Sequence, residues 1–143
     1  MKKIGWLVLV LFVTVPSVFG QSDEKEQEAI EATIKLYFEG MMERDRGKLD
    51  QAFDPSARLI GYRGEKFTVT PYEEWASGTA AGTTKRDPED FDNKLLDIEI
   101  KGYTAVAKTE LFWPEFYYYD YLTLVKRDGY WKIVHKTWYE EKR

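Results

Sequence analysis

The sequence predicts an α+β domain with N-terminal helices packed on one face of an antiparallel sheet. Three observations predict it. Apolar residues between Asp23 and Arg44 recur at helical spacing, the chain after Asn93 alternates at strand spacing, and Asp128-Gly129 divides the last two alternating runs as a hairpin turn. Helices first and an antiparallel meander afterwards give one layer of helices over a sheet. The chain of 143 residues suits one domain of ordinary size.

The first element is a targeting segment. "MKKIGWLVLVLFVTVPSVFG" places Lys2 and Lys3 before an almost unbroken apolar run from Trp6 to Val15, and small residues follow Pro16. This is the layout of a secretory signal peptide over residues 1–20, with cleavage after Gly20. The apolar run falls short of the roughly 20 residues of a membrane-spanning helix. Export to the periplasm or medium is therefore expected, with no membrane attachment after cleavage. A single domain over residues 21–143 remains, with 19 basic and 25 acidic side chains and no cysteine. Such a domain has no disulfides and rests on core burial. The acidic balance also argues against nucleic-acid binding, which needs a basic face.

Ile30, Ile34, Tyr37, Phe38 and Met41 form the inward stripe of the first helix, and "DRGKLDQAF" allows a short second one over about Gly47 to Phe53. "DPSARLIGYRGEKFTVT" reads as a turn and one or two strands, and Pro71 can open a third helix, "PYEEWASG". The loop-like "GTAAGTTKRDPED" can form a mobile lid or a pocket rim. In "NKLLDIEIKGY", Leu96, Ile98 and Ile100 share one side.

The last strands can be registered. A two-residue loop at Asp128-Gly129 pairs Lys126 with Trp131, Leu124 with Ile133, Leu122 with His135, Asp120 with Thr137 and Tyr118 with Tyr139 on one face. The other face carries Val125–Lys132, Thr123–Val134, Tyr121–Lys136 and Tyr119–Trp138, and its lysines mark it as the outer one. An even loop at "WPEF" pairs Phe112 with Tyr117, which sets Thr109 beside Asp120. Ala105, Ala107 and Thr109 then leave space between sheet and helix, to be a cavity or to be filled by Tyr37 and Phe38.

The run "LLDIEIKGYTAVAKTEL", then "FYYYDYLTLVKRDGYWKIVHKTWYEE", with "YFEGMMERDRGKLDQAFDPSARL" and "TPYEEWA" before it, resembles the nuclear transport factor 2-like superfamily. Within it, the chain resembles exported bacterial proteins described as "Putative lumazine-binding". The resemblance covers Lys25 to Glu141. It implies a cone-shaped fold with a pocket between helices and concave sheet, often dimeric through the sheet, and it implies no particular activity.

On the predicted register, Asp120 and His135 are diagonal neighbours on the inner face and can form a general-base pair. Equally, Thr109 and Thr137 can satisfy Asp120 as a structural hydrogen-bond node. Tyr37 is a candidate phenol donor or a core residue. Tyr118, Tyr139 and Trp75 can form an aromatic mouth for a small planar or apolar ligand, or pack the helix against the sheet end. The outer Tyr119, Tyr121 and Trp138, flanked by Lys108, Lys136 and Glu110, form a patch suited to a homodimer, or to a monomer whose lysine stems cover the rings. With one histidine and no cysteine, a metal site is not expected, and no motif calls for a cofactor. Three functions follow: a small-molecule binder, a cofactor-free dehydratase or isomerase, or an interaction module. A packed cone favours the last. An open cavity with Asp120 unpaired to the threonines favours the enzyme.

Overall fold

The structure, a computed structural model, describes residues 18–143, with side chains from residue 23 onward. The proposed signal peptide therefore lies outside the described residues except for its last three positions. Among the described residues no helix is long and apolar enough to cross a membrane.

Helix α1 runs Val18–Glu43 and buries Ile30, Ile34, Tyr37 and Met41, the stripe expected from their spacing. Arg44 takes a positive φ of 57° and turns the chain into α2, Arg46–Ala52. Asp45 caps α2, its side chain accepting from the Lys48 N–H at 3.1 Å. Strands β1 (Phe53–Arg63) and β2 (Lys66–Pro71) follow, then α3 (Tyr72–Ala80) with Pro71 at its N-cap. A loop and a short 3-10 turn at Pro88–Asp90 lead to β3 (Asp92–Lys101), β4 (Thr104–Phe112), β5 (Phe116–Arg127) and β6 (Tyr130–Lys142).

The six strands form one sheet in the order β2-β1-β6-β5-β4-β3. β1 lies parallel to β6 and every other neighbouring pair is antiparallel. The three helices cover one face, so the fold is the α+β architecture the sequence predicts. Leu122, Leu124, Ile133 and the helix stripe are fully or nearly fully buried between the layers. Each such side chain contributes about 1.5–3 kcal/mol of transfer free energy.

The β4–β5 register is the expected one, Phe112–Tyr117 through Thr109–Asp120 to Ala105–Leu124. The Asp128-Gly129 turn also holds, with φ of 52° and 85° as a type I′ hairpin requires. The β5–β6 register departs from expectation four pairs beyond that turn. Leu124 pairs with Ile133, but Thr123 pairs with His135, so Val134 is an extra residue in a β-bulge. From there to the end of the strand every β6 side chain sits on the face opposite to the predicted one. Leu122 now faces Lys136, Asp120 faces Trp138 and Tyr119 faces Tyr139. A second bulge in β3, between Leu95 and Asp97, turns Leu96 outward, where it is 46% exposed. Leu95, Ile98 and Ile100 pack on the core instead.

Candidate functional site

The bulge at Val134 decides which residues meet inside. It brings Lys136 inward, where only 7% of it is exposed, onto the buried Asp120 of β5 and Tyr37 of α1. Lys136 Nζ lies 2.8 Å from Asp120 Oδ2 and donates to Tyr37 Oη at 2.6 Å. The Tyr37 hydroxyl in turn donates to Asp120 Oδ2 at 2.7 Å. A buried charge must be paired and hydrogen-bonded, and this triangle does both. The ammonium has three N–H donors. Two are taken by Asp120 and Tyr37, which leaves one.

Around the triangle the walls are aromatic. The Lys136 ammonium stands 5.1 Å from the Tyr37 ring centre and 5.9 Å from that of Trp75, close enough for cation–π attraction. Tyr37 meets Phe53 edge-on at 5.4 Å. Burial, first, and then the Asp120 carboxylate raise the Tyr37 phenol well above its ordinary pKa. It is a proton donor held in place, not a phenolate.

A cavity of about 520 Å³ opens beside the triangle, between α3, the β1–β2 hairpin and the sheet end. Lys136 is the member of the triangle that borders it; Asp120 and Tyr37 stand behind. Trp75, Trp113, Tyr118 and Trp138 form aromatic walls. Tyr118 makes edge contacts with Trp113 at 5.3 Å and Trp138 at 6.4 Å, and burial pushes its phenol up to about 12. Arg63, Lys66 and Arg86 add positive charge, and Glu74 is the one carboxylate among the lining residues. Among the described residues no group of three or more His, Cys, Asp or Glu could hold a metal ion.

Several expectations are corrected here. Asp120 and His135 form no pair, because the bulge puts His135 on the outer face, where its Nδ1 lies 3.5 Å from Thr137 Oγ1. Thr137 is exposed, so it cannot complete a hydrogen-bond node at Asp120. Thr109 does lie opposite Asp120, yet its Oγ1 and Asp120 Oδ1 both lack a partner among the described residues. Tyr139 is 57% exposed on the outer face and is not part of the aromatic mouth. Trp138 and Lys136, expected outside, are inside. Ala105, Ala107 and Thr109 belong to the packed interior and do not line the cavity. Trp75 and Tyr118 stand where a ligand would meet them, and the loop after α3 contributes Arg86 to the rim.

Residues 25–139 match the family described as "Putative lumazine-binding". The chain belongs to this family. Within the family's fold, this chain is similar to a nuclear transport factor 2-like protein of unknown function from Silicibacter pomeroyi, at TM-score 0.75 and 21% identity over 83% of this chain and 98% of that one. A second such protein, from Shewanella baltica, superposes at TM-score 0.74 and 24% identity, covering 82% and 95%. In sequence this member of the family is 30% identical to an aldolase, FrzH, of Cladobotryum sp, over 82% of this chain and 94% of the aldolase.

Proposed function

We propose that the cone binds a small carbonyl compound, that Lys136 polarises its oxygen, and that Glu74, the one carboxylate among the lining residues, takes the proton next to the carbonyl and returns it to the product, making the protein a cofactor-free catalyst of enolate chemistry such as an aldol step. One observation carries this reading: a buried ammonium, fixed by Asp120 and Tyr37, borders an open aromatic cavity with one donor to spare. A preorganised donor in a site shielded from water stabilises a developing oxyanion far better than one in solvent. The likeness to a protein named an aldolase supports the same class of chemistry. Asp120 and Tyr37 are positioning residues, since they act through Lys136.

A panel of small ketones and 2-oxo acids in deuterium oxide tests this by proton NMR. The wild type accelerates loss of the protons next to the carbonyl for at least one member. Lys136→Met lowers that acceleration by about 10²–10³-fold, and His135→Asn leaves it unchanged. No acceleration by any member sinks the catalytic reading.

The aromatic walls favour a second reading, a non-catalytic binder of planar molecules. It predicts a ligand retained through purification and detected by native mass spectrometry, without solvent exchange of its protons. Export rests on the sequence of residues 1–20. Fractionation with mass determination of the N-terminus checks it, and an intact Met1 on a cytoplasmic protein would refute it.

A further inference from the structure

The basic groups at the cavity have a pattern that enolate chemistry alone does not require. Arg86 is half-buried on the loop after α3. Its backbone N–H donates to the Met42 carbonyl at 2.9 Å, and one guanidinium N–H donates to the Met41 carbonyl. Its charged carbon stands 4.8 Å from the Trp113 ring centre. These contacts fix the side chain but supply no counter-charge.

Among the described residues no carboxylate lies within ion-pair distance of Arg86, whereas Lys126 and Lys136 each have one and Arg46 and Lys48 each have two. Its cationic neighbour Arg44 directs two of its five N–H donors to the Thr79 and Thr84 carbonyls, at 3.0 and 2.7 Å. Burial, and then repulsion from Arg44, lower the Arg86 pKa. Arg63 and Lys66 on the opposite rim also lack carboxylate partners among the described residues. The chain has a formal charge of −4, yet its cavity has four cations against Glu74. A half-buried guanidinium with free N–H groups and a planar fork is built to receive an oxyanion.

We propose that Arg86 is an anion anchor, and that the cavity takes a small planar carbonyl compound whose carboxylate pairs with Arg86 while its carbonyl oxygen meets Lys136. This assignment rests on the reading of Lys136 given above. It narrows the substrate class to keto acids and excludes neutral ketones as good ligands.

A matched pair of probes tests it by calorimetric titration of the folded domain: 4-oxo-4-phenylbutanoate and its neutral amide, 4-oxo-4-phenylbutanamide. The carboxylate should bind at least about tenfold more tightly than the amide, the margin of one charge-assisted contact. Arg86→Gln should bring the carboxylate down to the amide's level and leave the amide unchanged, while Arg86→Lys keeps part of the preference. Lys136→Met should weaken both probes, and melting curves establish that each variant is folded. Equal affinities in the wild type, with both lost in Lys136→Met, overturn the anion anchor and leave the cone reading standing. A preference that survives Arg86→Gln overturns the role of Arg86. Absence of saturable binding by either probe at millimolar concentration overturns both proposals.

Discussion

Lys136 could not stay buried and charged without Asp120. Removing one partner of a buried ion pair costs about 3–5 kcal/mol, because the other charge is left uncompensated. Lys136→Met alone should therefore lower the urea midpoint strongly. Lys136→Met with Asp120→Leu should restore most of the loss, since well-packed apolar replacements of buried pairs are neutral or stabilising by about 1–4 kcal/mol. Recovery in the double variant would mean that the pair is retained for what it does, not for stability. No recovery would mark it as scaffold. Asp54 shows the opposite case, a carboxylate that stabilises outright. It accepts from the Ser56 hydroxyl at 2.6 Å and the Ser56 N–H at 2.9 Å, and Arg127 stands 2.8 Å away. These contacts, the Ser56 hydroxyl foremost, hold its pKa below the ordinary value. Its contribution is complete above the unfolded-state pKa, about 4, and disappears as pH falls through the lower folded value. Urea unfolding of Asp54→Asn should accordingly show a shallower loss of stability than the wild type on going from about pH 5 to pH 2.

At the scale of elements, the two β-bulges explain what the sequence could not show. The hairpin at Asp128-Gly129 and the β4–β5 pairing were legible because turn chemistry and alternation agree there. A bulge adds one residue without any obligatory residue type, so alternation alone runs straight through it. In β6 a trace was present. Trp131 and Ile133 share one parity, while Val134 and Trp138 share the other, and the change of parity falls at the bulge. Lysines usually mark the outward face, and Lys136 is the one buried lysine among the described residues, its charge satisfied inside by Asp120. Gly61 shows how closely the inverted stretch is held. Gly61 pairs with Trp138 across β1 and β6, and a Cβ there would lie 2.5 Å from the Trp138 carbonyl oxygen and 2.6 Å from its ring. Gly61→Ala should cost about 1–3 kcal/mol, as overpacking does. Because Trp138 walls the cavity, the same variant should also weaken binding of the aromatic keto acid. A melting temperature equal to that of the wild type would disprove the contact.

Over the whole molecule, the helices and the concave face of the sheet enclose the site, and the convex face is left to solvent. The inversion of β6 changes that outer face too. Trp138 and Lys136 leave it, and Tyr139 joins Tyr119, its cross-strand partner, and Tyr121. Tyr121 and Tyr139 are 51% and 57% exposed, and the Tyr119 and Tyr121 rings lie 5.1 Å apart. Lys108 at the edge of this patch is already neutralised by Asp97 at 2.8 Å. The patch therefore offers amphipathic rings, with Glu110 opposite Tyr119 and Glu141 beside Tyr139 at its rim. A two-fold interface needs such a self-complementary surface, with about 800 Å² covered on each partner. We propose a homodimer through this face. Sedimentation equilibrium at micromolar concentration should show a dimer, and Tyr121→Glu should convert it to a monomer by setting two like charges near the two-fold axis. The cone lies on the other side of the sheet, so the monomeric variant should keep its affinity for the keto-acid probe. A wild-type protein that sediments only as a monomer would remove the dimer, and the tyrosines would then stand as rings shielded by their charged neighbours.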